Sequence, residues 1–197
     1  MEATVTATLI VEDKKLYKEE DGEKYFLVPA LMGKEEHKEL VPVEAIISEY
    51  LIPDKQCRSE VKFHMRTIKE PGERLGVTYP FVTECHEVVE DSEVINTAEV
   101  YGYITNMGKL KTFSGFGENY VNIIIKFRSG KKPTPSFINV RAHGVIARRL
   151  VKEAKASCHL HVKGIISTVD GRIILDTTEI ISLQESLTKK STVSEAK

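Results

Sequence analysis

The order of strand-like segments in the first half of this 197-residue chain comes round again about a hundred residues later. Val5-Thr-Ala-Thr-Leu9 is echoed by Val100-Tyr-Gly-Tyr-Ile104, and Glu23-Lys-Tyr25 by Glu118-Asn-Tyr120. Leu40-Val-Pro-Val-Glu-Ala45 parallels Phe137-Ile-Asn-Val-Arg-Ala142, and Val61–Met65 parallels Leu160–Gly164. The separation is 95 for the first two pairs, then 97, then 99, the drift that loop insertions in a tandem duplication produce. A copied unit of roughly 95 residues has to bury a core of its own. The repeat therefore predicts two domains, 1–96 and 97–183, followed by a polar, Ser/Thr/Lys-rich tail, 184–197, expected to be disordered.

Both copies read as strands. In the second, β-branched and aromatic runs bounded by Gly, Pro and Ser predict strands near 98–106, 119–128, 136–143, 158–168 and 172–183. Val145–Ala154 has the apolar spacing and helix formers of one short helix, and Asp170-Gly171 between two alternating runs is a tight-hairpin signal. Five strands with a helix between the third and fourth is the order of an OB-fold barrel. The predicted fold class is mainly β: two tandem five-stranded OB-fold barrels, each with a short helix between strands 3 and 4. The first copy follows this order more loosely, with its helix near 44–51 and a longer final loop, Pro71-Gly-Glu-Arg-Leu-Gly76.

A near-neutral total hides a division of charge. Residues 1–96 carry 12 Lys and Arg against 21 Asp and Glu, whereas 97–197 carry 16 against 8. A polyanion is repelled by the first copy and drawn to the second, and phosphate neutralisation supplies most nucleic-acid affinity. No apolar run approaches the ~20 residues that span a bilayer, and the start, Met-Glu-Ala-Thr-Val, lacks the basic-then-apolar character of a secretory signal. Three widely spaced cysteines, Cys57, Cys85 and Cys158, suggest neither a disulfide framework nor a C-x-x-C zinc site. The expected location is cytoplasmic, with no membrane partner.

Alternation along each strand assigns its two faces. If Ile138, Val140 and Ala142 point inward, Phe137, Asn139, Arg141 and His143 point out. Val100, Gly102 and Ile104 inward leave Tyr101 and Tyr103 outward; Ile123, Ile125 and Phe127 inward present Asn122, Ile124 and Lys126, with Arg128 at the strand end. The connecting loops add Lys109, Lys111, Phe113 and Phe116, and then Lys131 and Lys132. Aromatic planes accept bases of any identity at roughly 1–3 kcal/mol per stacked base, while Lys and Arg follow the phosphates. These residues, fifteen with the apolar Ile124 set aside, form the candidate DNA-binding set. At the same places the first copy has Thr6 and Thr8 for the tyrosines, and Leu40, Pro42, Glu44 and Ile46 for the third-strand residues. That copy is expected to have kept the scaffold and lost the site, turning Leu40, Ile46, Tyr17, Tyr25 and the acidic stretch Glu19–Glu23 to protein contact.

The runs Val100-Tyr-Gly-Tyr-Ile-Thr105, Val121–Ile125, Phe137-Ile-Asn-Val-Arg-Ala-His-Gly144 and Leu160-His-Val-Lys-Gly-Ile165 resemble the bacterial-type single-stranded DNA-binding proteins (SSB). A member of phage type, or one like primosomal replication protein N, is compatible with the same outline. The resemblance covers about 97–183, and over 1–96 only an outline remains. It implies that Phe137 and His143 stand where the family places stacking aromatics, and that four barrels assemble, which a homodimer of this chain would supply. It also leaves open that Tyr101 and Tyr103 form a subunit interface, since the first strand often pairs subunits in that family. The acidic, Phe-terminated tip of many members is missing from Ser-Glu-Ala-Lys197, which suits a phage- or plasmid-type member, or one whose acidic first copy recruits replication or recombination proteins instead.

Enzymatic readings find no constellation. Gly115-Phe-Gly117 is not followed by the Gly-Lys-Ser/Thr of a phosphate loop. His159 and His161 share a strand face but lack a third metal ligand at useful spacing, and Glu84-Cys-His86 places neighbours on opposite faces. The expectation is a non-enzyme without cofactor or metal that binds and protects single-stranded DNA with little sequence preference; the same basic residues would serve RNA, and the sequence leaves that choice open. Its setting would be replication, recombination or repair. The alternative is a protein-interaction adaptor, a primosome or phage assembly component using the same surface.

Overall fold

In the computed structural model the described residues, 1–32, 41–69, 76–89, 93–112, 117–128, 135–169 and 172–185, form twelve strands and one α-helix. The strands are β1 (Glu2–Leu9), β2 (Lys15–Glu20), β3 (Glu23–Met32), β4 (Val41–Ser48), β5 (Arg58–Ile68), β6 (Val77–Glu87), β7 (Asn96–Met107), β8 (Lys111–Thr112), β9 (Asn119–Arg128), β10 (Pro135–His143), β11 (His159–Val169) and β12 (Arg172–Gln184). Helix α1 (Gly144–Glu153) lies between β10 and β11. All twelve strands join one sheet, in the order β2-β3-β4-β6-β5-β1-β7-β11-β12-β10-β9-β8. Additional pairings, β3 with β1 and β7 with β9, return each half of the sheet to its own first strand.

The long strand β7 shows how the second circuit is made. Its inner positions Val100, Gly102 and Ile104 are buried while Tyr101 and Tyr103 are exposed, the period of two that the sequence announced. Over Ala98–Tyr103 it pairs with β11, and from Tyr103 to Met107 it pairs with β9. A bulge between Ile104 and Asn106 lets one strand serve both neighbours by adding local bend and twist. Two glycines permit the close approach this closure needs. A Cβ on Gly102 would run into the Lys126 carbonyl oxygen, and one on Gly164 into that of Asp176.

The halves meet through their first strands. β1 and β7 are antiparallel, with Glu2 facing Glu99, Ala3 facing Ala98 and Thr4 facing Thr97. Under the 95-residue repeat Ala3 and Ala98 are equivalent, so like faces like about this point. The buried apolar side chains of both halves form one connected cluster. Ser136 and Phe137 of β10 also bond to Thr67 of β5: Thr67 N donates to Ser136 Oγ at 3.1 Å, and Phe137 N to Thr67 Oγ1 at 3.1 Å.

Strand register revises the repeat. Thr8 faces Leu31 and Leu31 faces Pro42, just as Tyr103 faces Lys126 and Lys126 faces Phe137. Phe137 therefore corresponds to Pro42, 95 residues back, and not to Leu40. Val61 faces Val5 and Val162 faces Val100, so these two correspond across 101 residues and the assumed match of Val61 to Leu160 is two residues out. The six extra residues lie where α1 has grown, and the shorter connection from Val169 to Arg172 removes them again. Arg172 faces Val169 directly; Asp170 and Gly171, the predicted hairpin turn, lie outside the described residues.

The first half has no helix at 44–51. Residues 44–48 belong to β4, and only a 3-10 turn, Glu49–Leu51, follows, with Ser48 Oγ accepting from Tyr50 N at 3.4 Å. The β-branched pair Ile46-Ile47 favours extended backbone, and hydrogen bonding to β3 along the whole strand decides it. Ile46 is fully buried and not turned to partners: β6 pairs with β4 there, Ile46 facing Phe81, and the rings of Tyr25, His64 and Phe81 gather on that side. Gln184, placed in the tail by its composition, ends β12; 186–197 lie outside the described residues, as do Leu40 and 71–75 of the predicted long loop.

Candidate nucleic-acid interface

The ladders bring four outward side chains into one row. His159 of β11 faces Tyr103 of β7, Tyr103 faces Lys126 of β9, and Lys126 faces Phe137 of β10. Neighbouring strands lie about 4.8 Å apart, so the row is a ring, a ring, a cation and a ring over roughly 15 Å. The rings of Tyr103 and His159 have centroids 3.8 Å apart, and Tyr101 stacks on His159 at 5.4 Å and meets His161 edge-on at 5.6 Å. Tyr101, Tyr103 and Phe137 are 50%, 45% and 36% exposed, which leaves ring surface for a planar ligand.

Further along the same face Ile124 stands opposite Asn139, Asn122 opposite Arg141, and Tyr120 opposite His143. Beyond Tyr120 is Lys111 of β8, and Lys109 is exposed in the segment before it, where Gly108 N bonds to Asn122 O at 2.8 Å. From Phe137 to His143 the strand runs about 20 Å. Asn122, Lys126, Arg128 and Asn139 are exposed, whereas Arg141 and His143 are partly covered. Phe113, Phe116, Lys131 and Lys132 lie outside the described residues.

At the His143 end the face is already engaged. Asp176 of β12 lies beside Arg141 in the parallel pairing, its Oδ1 4.0 Å from Arg141 Nε and 3.4 Å from His143 Nε2. Its other oxygen accepts from the Ser167 hydroxyl. Two of the fifteen candidates are thus paired with the protein's own carboxylate. Strand alternation alone could not reveal this, because Asp176 is 35 residues from Arg141 and on a strand whose register the sequence does not fix.

Two histidines lie on the same face, against Tyr101 and Tyr103, although the candidate set omits them. His159 and His161 were placed correctly on one strand face, but their partners are visible only once β11 is paired with β7. His161 Nε2 bonds to the Glu99 carboxylate. Cys158 is buried, and among the described residues no group of three His, Cys, Asp or Glu is placed to hold a metal ion. Glu99, His161, Lys163 and Tyr101 border a shallow, open depression of about 450 Å³ shared with Met1–Thr4 at the meeting of the halves. Tyr101 and Tyr103 lie just past the β1–β7 contact, which is made within one chain.

The corresponding surface of the first half differs. Thr6 is buried, its Oγ1 accepting from Ile95 N at 2.9 Å, so the segment joining the halves lies against it. Glu23 accepts from Ser48 and, at 2.7 Å, from the Tyr25 hydroxyl, bonds that hold its carboxyl below the usual range, and the bond to Glu23 pushes the Tyr25 phenol up. The Arg66 guanidinium lies 4.0 Å over the Phe81 ring, against which His64 stacks at 5.1 Å. Burial and the neighbouring Arg66 lower the His64 pKa. No helix among the described residues is long and apolar enough to cross a membrane.

No family model matches the sequence, and no curated protein matches it. Solved structures do. A deletion mutant of the single-stranded DNA binding protein from Thermus aquaticus superposes over 96% of this chain and 98% of its own, with a TM-score of 0.66 at 12% identity. The wild-type Thermus aquaticus protein gives 0.64 over 94% and 93%, also at 12% identity. The SSB domain of a Synechococcus protein aligns with 45% of this chain and 97% of its own length at a TM-score of 0.41. The chain thus has the fold of bacterial-type single-stranded DNA-binding proteins along nearly its whole length.

Proposed function

We propose that this protein binds and protects single-stranded DNA with little sequence preference, in replication, recombination or repair, and that each closed circuit of five strands is an OB-type barrel. The observation that carries the reading is the outward row His159–Tyr103–Lys126–Phe137 on the basic half of the molecule. Bases stack on Tyr101, Tyr103 and Phe137, and phosphates meet Lys126, Arg128, Lys109 and Lys111. Asn122 and Asn139 offer amide hydrogen bonds that do not depend on which base is presented. Arg141 and His143, paired with Asp176, lie beyond the part of the face that takes the strand. The fold shared with proteins named for binding single-stranded DNA supports the same reading.

Units 1–96 and 97–183 divide the labour: the second binds and the acidic first serves partner proteins. Two chains associate to give four barrels in the cytoplasm, which sedimentation of the purified protein tests as a dimer mass. The binding reading is tested by titrating fluorescent oligo(dT) at several salt concentrations. Phosphate contacts give a fall in log K with log salt of about 0.7 per phosphate neutralised. An adaptor that uses this surface for protein would show negligible oligonucleotide affinity at any salt, and that result would overturn the proposal. Oligo(U) run in parallel measures RNA binding.

A further inference from the structure

Arg141 looks, from strand alternation, like the strongest phosphate ligand on the face: a guanidinium beside Asn139 and His143 on the exposed side of β10. Its surroundings say otherwise. Arg141, His143 and Ser167 converge from two strands on one point, and that point is filled by the Asp176 carboxylate. The place is built rather than incidental. β12 is pressed against β11 where Gly164 has no side chain, with the Asp176 backbone at the closest approach, and Asp176 faces Ile165 there while lying alongside Arg141. Side-chain exposures of 23% for Arg141 and 21% for Asp176 leave the pair partly shielded from salt. Arg141 Nε is buried and has no hydrogen-bond partner among the described residues, so at 4.0 Å Asp176 meets it as a charge and not as a hydrogen-bond acceptor. At the equivalent place the first half has Phe81, and its cation, Arg66, lies over that ring instead.

Resting on the single-stranded DNA reading above, we propose that Asp176 is an internal counter-anion: it takes the position a phosphate would occupy among Arg141, His143 and Ser167. That end of the face then adds little affinity, and the strand is held from the Tyr103–Lys126–Phe137 end. The carboxylate sets how tightly a non-specific binder grips, because a phosphate arriving at Arg141 must displace an anion that is covalently part of the site.

The test is oligo(dT) titration over a salt series with Asp176→Asn, Arg141→Gln, the double variant and Lys126→Gln. Asp176→Asn keeps the shape and a hydrogen bond for Ser167 but removes the charge. Its affinity should rise at least about fivefold, as one released charge-assisted contact gives, and its salt slope should steepen by about 0.7. Arg141→Gln alone should change affinity less than about twofold with an unchanged slope, and in the double variant it should cancel the gain, whereas Lys126→Gln should weaken binding and flatten the slope by about 0.7. The inference is overturned if Asp176→Asn leaves affinity and slope as they were, or if Arg141→Gln costs the wild type as much as Lys126→Gln. The second comparison stands even if Asp176→Asn fails to fold. Wild-type protein without salt-dependent oligo(dT) affinity would sink the functional reading and this inference together; wild-type binding with no gain in Asp176→Asn would sink this inference alone.

Discussion

The two halves carry the same row of the same ladder and fill it with different chemistry. In the second half it reads His159, Tyr103, Lys126, Phe137; in the first, Arg58, Thr8, Leu31, Pro42. At this row each strand meets the equivalent neighbour in equivalent register, so the backbone pairing there is shared by the two halves. What changes is whether the outward positions offer flat rings and a free ammonium. A β ladder is indifferent to the outward side chain, so one copy can keep a binding surface while the other drifts. The next layer shows the same freedom: Asp176 draws Arg141 and His143 to a carboxylate, and its counterpart Phe81 draws Arg66 and His64 to a ring.

The comparison is most exposed at a pair of inner positions that correspond through the β1–β5 and β7–β11 registers, Phe63 and Gly164. Phe63→Ala should destabilise by about 3–5 kcal/mol by leaving a cavity, and Gly164→Ala by about 1–3 kcal/mol by forcing a methyl into the Asp176 backbone. Urea denaturation measures both. A neutral Gly164→Ala would mean that the two strands do not approach as closely as described. Next in size is the row itself. Tyr103→Ala combined with Phe137→Ala should weaken oligo(dT) binding at least ~30-fold, at roughly 1 kcal/mol or more per ring, while Thr8→Ala should stay within about twofold. Equal losses from the two would erase the distinction between the halves.

The smallest effect concerns His64, whose counterpart in the second half is Ile165. Its pKa in the folded protein lies below that of the unfolded chain because it is partly buried beside Arg66. The neutral ring is therefore favoured on folding. The stability this contributes is complete above the unfolded value of about 6.5 and is lost as pH falls through the lower folded value. Thermal melts at pH 7.5 and pH 5 should show a smaller drop in Tm for His64→Gln than for wild type. An identical drop would remove His64 from the acid response.

Strand periodicity made much of the second half legible, because five β-branched or aromatic runs alternate with polar residues and one helix-forming run interrupts them. Tyr101, Tyr103, Lys126 and Phe137 were all assignable to the outer face on that ground. The first half was harder to read: Ile46 alternates like an outward residue but is buried, since β6 and its rings cover the strand from the far side. Helix near 44–51 failed for a related reason, tertiary pairing with β3 overriding a weak local preference. His159 and His161 and the grip of Asp176 on Arg141 were out of reach because they depend on which strand lies beside which.

By itself the sequence determined the recurring strand order, the charge division, the strand-rich class and the inward or outward sense of the residues along β7, β9 and β10. All of these are local, since side-chain sense follows from a period of two and charge from a count. Only the tertiary structure decided which outward residues stand side by side, that the first strands of the halves pair within one chain, and that the acidic Asp176 lies beside Arg141. Those facts are set by the register between strands far apart in the chain, and register is fixed by packing and closure of the sheet rather than by any segment alone.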